Sequence, residues 1–172
     1  MADALRERMA AGDQALTAFT NTPKLIVGIL SKEPMYAYDD RGMLIASGGT
    51  AGYCAIKKRN DSPYALEYLQ AWLSNPFTEK LIDIVGSDFE GGFVARGTFI
   101  LSTLPFVELD FSNPGQKALH DRVVAYTREI YSLNDILKER PEKRIESVTV
   151  RRKKELIAEV EAIISKVYKL EF

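Results

Sequence analysis

The sequence is short of the residues from which most catalytic and metal centres are built. Its 172 residues include one cysteine, Cys54, one histidine, His120, and one tryptophan, Trp72. A single cysteine excludes a disulfide framework within the chain, and one cysteine with one histidine cannot supply the usual nitrogen and sulfur ligand sets of a zinc site. A serine or cysteine triad would have to use the same histidine, and no motif surrounds any nucleophile. No Gly-Lys-Ser/Thr string closes a phosphate-binding loop. Gly48-Gly49-Thr50-Ala51-Gly52 has the glycines without the lysine and reads as a tight turn. No apolar run approaches the ~20 residues of a bilayer-spanning helix, and residues 1–8 lack the apolar segment of a signal peptide. A cytoplasmic protein is expected. There is no excess of positive charge either: 23 Lys and Arg stand against 24 Asp and Glu, a net charge of -1 with a pI of about 5.9. That is not the strongly basic footprint of an autonomous nucleic-acid binder.

What is present is an ordinary globular composition, 46% hydrophobic and 27% charged, long enough for one domain or a compact domain with a helical appendage. Residues 1–22 favour helix until Thr22-Pro23 breaks it. Lys24-Leu25-Ile26-Val27-Gly28-Ile29-Leu30 is a short apolar run of β-formers and reads as a buried strand. Tyr36-Ala37-Tyr38 and Met43-Leu44-Ile45-Ala46 flank the turn Asp39-Asp40-Arg41-Gly42, a hairpin signal. Residues 53–57 make a third strand in which Cys54, among apolar neighbours, reads as a packing residue.

Ser62-Pro63 carries a helix-start signature for residues 63–74, whose Leu66, Leu69, Trp72 and Leu73 fall at helical spacing. A second helix is expected over residues 77–85, a loop over residues 86–92, and extended pieces over residues 99–109 around Pro105. After Asn113-Pro114 the pattern changes. Leu119, Val123, Tyr126, Ile130, Leu133 and Leu137 alternate in steps of three and four. After a connector at residues 146–150, Leu156, Val160, Ile163, Val167 and Leu170 repeat that alternation. The fold class expected is α/β (α+β): a small mixed sheet with helices, followed by two long heptad-patterned C-terminal helices. The organisation expected is a lead-in at 1–22, an α/β recognition domain at 23–112 and a helical hairpin at 113–172. The two seams pack on each other or on the α/β part, or else serve a partner helix.

Few residues suggest chemistry. Asp83, Asp88 and Glu90 could hold magnesium for phosphodiester cleavage, although their spacing is that of a solvated acidic loop. Adenine-specific DNA methyltransferases carry an Asn/Asp-Pro-Pro-Tyr/Phe string and a glycine-rich cofactor loop. This chain has only Asn75-Pro76-Phe77-Thr78, which follows a helix where the catalytic motif follows a strand.

Several segments, taken in order, resemble the TaqI-like C-terminal specificity domain of restriction-modification enzymes, which is similar in design to the recognition domains of type I specificity subunits. Residues 23–27 resemble its opening strand and residues 35–45 its hairpin. Leu66-Glu67-Tyr68-Leu69-Gln70-Ala71-Trp72-Leu73-Ser74-Asn75-Pro76-Phe77 is similar to its leucine-rich helix followed by Ser-Asn. Leu101-Ser102-Thr103-Leu104-Pro105-Phe106 looks like its Leu-x-x-Leu-Pro strand. The segment Ile163-Ile164-Ser165-Lys166-Val167-Tyr168-Lys169-Leu170 resembles the ending of the larger fused enzymes. The sequence departs from the pattern at Val107, where a second proline is usual, and lacks the Tyr-Gly after Tyr168.

The resemblance implies a prokaryotic target-recognition module that binds double-stranded DNA beside a methyltransferase catalytic domain or subunit. It implies no cofactor in this chain and S-adenosylmethionine in the catalytic partner. Base readout needs Arg, Lys, Asn or Gln on loops held by a rigid sheet. The candidates are Lys57, Lys58, Arg59 and Asn60 at a strand end, Arg41 in the hairpin turn and Arg96 after the glycine loop, with a solvated hairpin tip as the equal alternative for the first four. Arg151 and Arg152 lie in the stretch from Lys138 to Lys154, where eight Lys/Arg accompany three Glu, and either contact phosphates or serve solubility.

Overall fold

A computed structural model describes residues 19–43, 52–86, 88–89 and 91–168. The lead-in helix expected before residue 19, the strand after Met43, most of the 48–52 turn, Glu90 and Leu170 lie outside the described residues. Contacts group the chain into two units. One takes the described residues up to Ser62 together with Ile82–Leu104, and the other takes Pro63–Leu81 with the chain from Pro105 onward.

The first unit holds two antiparallel sheets. Strand β1 (Lys24–Gly28) lies between β3 (Tyr36–Asp39) and β4 (Tyr53–Lys57). Leu25 and Val27 on one face of this central strand and Lys24 on the other are 0% exposed. Cys54 pairs with Val27, and burial pushes its thiol pKa up, so it acts as a packing residue. A second small sheet orders β2 (Leu30–Ser31), β6 (Phe93–Ala95) and β5 (Asp88–Phe89). Its β5–β6 hairpin replaces part of the expected loop at 86–92, because Gly91 and Gly92 adopt positive φ and let the chain turn tightly.

Helix α3 (Thr98–Thr103) corrects the reading of residues 99–109 as extended. Gly97 accepts the first helical bond, and the hydroxyls of Ser102 and Thr103 donate back to the carbonyls of Phe99 and Ile100. The Leu101 to Gly97 backbone bond and the burial of Ile100 hold this helix against the β preference of the Thr-Phe-Ile run. Residues 104–109 carry neither helix nor strand.

The second unit is helical. Helix α1 (Leu66–Leu73) begins three residues later than Ser62-Pro63 suggests, with Ala65 as an extended N-cap. The cause is tertiary. Tyr64 inserts edge-on between Phe106 and Phe111, its hydroxyl accepts from the amide of Leu109, and the amide of Ala65 donates to His120 Nε2 at 3.1 Å. These contacts hold residues 63–65 extended. Helix α2 (Pro76–Val85) follows at once, entered through Asn75, whose side chain accepts from the amide of Phe77. The Asn75-Pro76 string is therefore a helix-to-helix corner.

Helices α4 (Pro114–Lys138) and α5 (Lys143–Val167) form the expected hairpin and pack on each other, and α1 packs on both. Asn113 caps α4 by accepting from the amides of Gly115 and Gln116, with Pro114 at the first helical position. The connector expected at 146–150 is part of α5. β-branched residues cost a helix only about 0.5 kcal/mol each, and Thr149 is buried. Among the described residues of the seams, Val123, Leu156 and Val160 are buried and the others are half-buried. No described helix is long and apolar enough to cross a membrane.

Candidate nucleic-acid interface

Strands β3 and β4 both run antiparallel to β1, and their registers meet at one residue. Lys24 pairs with Asp39, the last residue of β3, and with Lys57, the last residue of β4. The turn that follows β3 and the loop that follows β4 therefore leave the same end of the sheet, on either side of β1. Arg41 stands on the first, and Lys57, Lys58, Arg59 and Asn60 on the second. Two strand spacings separate these edges, about 10 Å.

The end of the sheet is held rigidly. Asp39 Oδ2 accepts from Lys24 Nζ at 2.6 Å and from the amide of Met43 at 2.7 Å, while Oδ1 accepts from the amide of Arg41 at 3.1 Å. One carboxylate so binds strand β1 and both sides of the turn that presents Arg41. Burial tends to raise the Asp39 pKa, but the Lys24 hydrogen bond and the two backbone amides outweigh it and hold the carboxyl below its ordinary value. Gly42, at φ +68°, closes the turn against the entry to β1, where its carbonyl accepts from the amide of Asn21. A Cβ at Gly42 would lie 2.4 Å from the Thr22 nitrogen, so glycine is required there.

Arg41, Lys57, Lys58, Arg59 and Asn60 are all exposed. The Lys57 ammonium lies 5.5 Å from the centre of the Phe19 ring. Arg59 forms a two-point ion pair with Asp61 at 3.1 and 2.9 Å, with both side chains largely in solvent. Four cations with Asp40 and Asp61 among them give this edge a modest positive balance.

Arg96 does not belong to this set. It is 2% exposed, and its Nη1 donates to the carbonyls of Ser31 and Val94 and to Ser31 Oγ. It ties β2 to β6 from within, because the guanidinium fork can serve several carbonyls at once. Arg151 and Arg152 belong to α5 in the other unit. Arg152 makes a two-point pair with Glu129, which raises its pKa, and Arg151 lies 3.8 Å from Glu155. Of the acidic trio, Asp83 is exposed on α2 and Glu90 lies outside the described residues; among the described residues no three His, Cys, Asp or Glu side chains gather as metal ligands.

His120 is a structural residue. Its Nε2 accepts the Ala65 amide and so carries no proton, which leaves Nδ1–H to donate to Asp121 at 2.9 Å. It sits among Tyr64, Tyr68 and Phe111. The hydroxyl of Tyr168 accepts from Trp72 Nε1 and the amide of Val107 and donates to the carbonyl of Pro105. Burial raises the Tyr168 pKa and keeps that phenol protonated. Sequence reading missed this aromatic cluster, whose only signal was the high density of Tyr and Phe around Pro63 and Pro105.

Over 122 residues the chain is 40% identical to the type II restriction enzyme and methyltransferase RM.Eco57I of Escherichia coli. The chain is related to a restriction-modification enzyme. The aligned stretch is 69% of this chain, and it spans 12% of the length of that enzyme. No protein-family profile matches the sequence.

Proposed function

We propose that this chain is the DNA sequence-recognition module of a restriction-modification methyltransferase, and that it positions a target adenine for a catalytic domain elsewhere in the protein or in a partner subunit. The observation that carries the reading is the shared register at Lys24, which gathers Arg41 and Lys57–Asn60 on two turns at one sheet end. Two turns about 10 Å apart fit a major groove about 12 Å wide, where Arg and Lys read guanine and Asn reads adenine. The relationship to an enzyme whose name joins restriction and methylation supports the same reading.

Catalysis and S-adenosylmethionine are assigned to that other domain, and the module acts in the cytoplasm with double-stranded DNA as its ligand. Its near-neutral charge fits a division of labour in which the catalytic part supplies much of the phosphate affinity and this module supplies discrimination. Titration of a cognate and a scrambled duplex with the chain fused to its catalytic part tests the proposal. Alanine at Arg41 or Asn60 is expected to relax the sequence preference, with about 1–3 kcal/mol of discrimination lost per base contact. Preference unchanged in both variants contradicts the proposal.

A further inference from the structure

Within the helical unit, α1, α4 and α5 surround a crevice of about 280 Å³ that the recognition reading leaves without a role. Its apolar wall includes Ile130, Ile157 and Val160, and Thr127, Asn134 and Glu161 supply polar groups. Thr127 is 5% exposed, and its hydroxyl is buried with no hydrogen-bond partner. Buried hydroxyls are rarely left unsatisfied, so one lining a crevice marks a place for a ligand atom. Among the described residues, neither the Glu161 carboxylate nor the Asn134 amide has a side-chain partner, whereas Gln70 and Tyr131 on the same wall satisfy each other. The C-terminal end of α1, at Ser74, adds the negative end of its helix dipole.

No Lys, Arg or His lines the crevice, so an anion would meet only Glu161. A compact ammonium is strongly hydrated and ill suited to an aliphatic wall, whereas a planar guanidinium is weakly hydrated and offers a carboxylate two parallel N–H groups with others to spare. We propose that the crevice binds an alkylguanidinium group. Its planar cation pairs with Glu161, a further N–H reaches Thr127 Oγ1 or the Asn134 oxygen, and its alkyl stem lies along Ile130, Ile157 and Val160. The group could be a free guanidine or the arginine side chain of a docked polypeptide.

The test is an amide NMR titration of the full chain with millimolar propylguanidinium, with propylurea as its neutral counterpart, and with a blocked Gly-Arg-Gly peptide. Saturable shifts at Thr127, Asn134 and Glu161 with propylguanidinium are expected, and Glu161→Gln should weaken binding at least about tenfold, the worth of a charge-assisted bond. Thr127→Val keeps the shape of the side chain and removes the hydroxyl, and it should weaken binding without loss of thermal stability. A peptide that binds about as well as propylguanidinium supports the free group as sufficient, and one that binds at least tenfold tighter supports an arginine in a docked chain. No saturable shift with either cation, equal affinity for propylurea, or unchanged affinity in Glu161→Gln would overturn the proposal.

Discussion

Lys24 Nζ lies 2.6 Å from Asp39 Oδ2 with the two side chains 0% and 2% exposed, across the register pair that joins β1 to β3. A buried pair of this kind is weak evidence for stability in itself, because desolvation offsets the attraction, but breaking it leaves one charge buried without its partner. Here the same carboxylate also closes the turn bearing Arg41, so its loss reaches the candidate interface.

Replacing Lys24 by methionine is expected to destabilise the first unit by about 3 kcal/mol. Chemical denaturation checks the figure. Because the folded Asp39 pKa is lowered, its stabilising contribution is complete above the unfolded value of about 3.9 and is lost as pH falls through the lower folded value. Asp39→Asn should therefore flatten the acid limb of the stability profile below about pH 4.

Arg96→Ala should leave the Ser31 and Val94 carbonyls without this donor, at a cost of about 1–3 kcal/mol in unfolding free energy. At temperatures where the variant remains folded, the salt dependence of duplex binding should match that of the parent. A reduced salt slope would place Arg96 on the DNA, against its burial.

Tyr168→Phe removes an acceptor for Trp72 Nε1 and the Val107 amide and a donor to Pro105. The expected loss is about 1–3 kcal/mol, read from thermal or denaturant unfolding. Tryptophan fluorescence should change with it, because Trp72 loses the hydroxyl partner of its indole N–H.

The proton of His120 should reside on Nδ1. Nitrogen-15 imidazole shifts at pH 8 distinguish the two tautomers, and an Nε2–H form would contradict the Ala65 hydrogen bond.

Local chemistry was readable in the sequence where it governs the outcome. Strand β4 follows from its β-branched and aromatic residues, and the start of α4 from Asn113-Pro114, because cap and proline act within a few residues. Tertiary contacts decided the places that were misread. Tyr64 and His120 override the Ser62-Pro63 start, packing of Thr149 carries α5 through its β-branched run, and burial of Ile100 favours helix over residues 98–103. For the site, the exposed basic residues at a strand end were legible from composition and turn signals. The burial of Arg96 was not, since a lone arginine after a glycine loop looks the same whether it faces water or carbonyls. Nor was the meeting of Arg41 with Lys57–Asn60, which depends on a strand register that spacing does not encode.

The most direct test of the recognition account is the salt dependence of duplex binding for the parent chain and for a variant with Lys57, Lys58, Arg59 and Arg41 all replaced by alanine. Each lost phosphate contact should reduce the slope of log K against log salt by about 0.9. The account predicts a shallower slope, weaker binding at low salt and loss of preference for the cognate duplex, with stability unchanged. A variant that keeps the parent's affinity, slope and preference would show that DNA is read elsewhere or not by this chain.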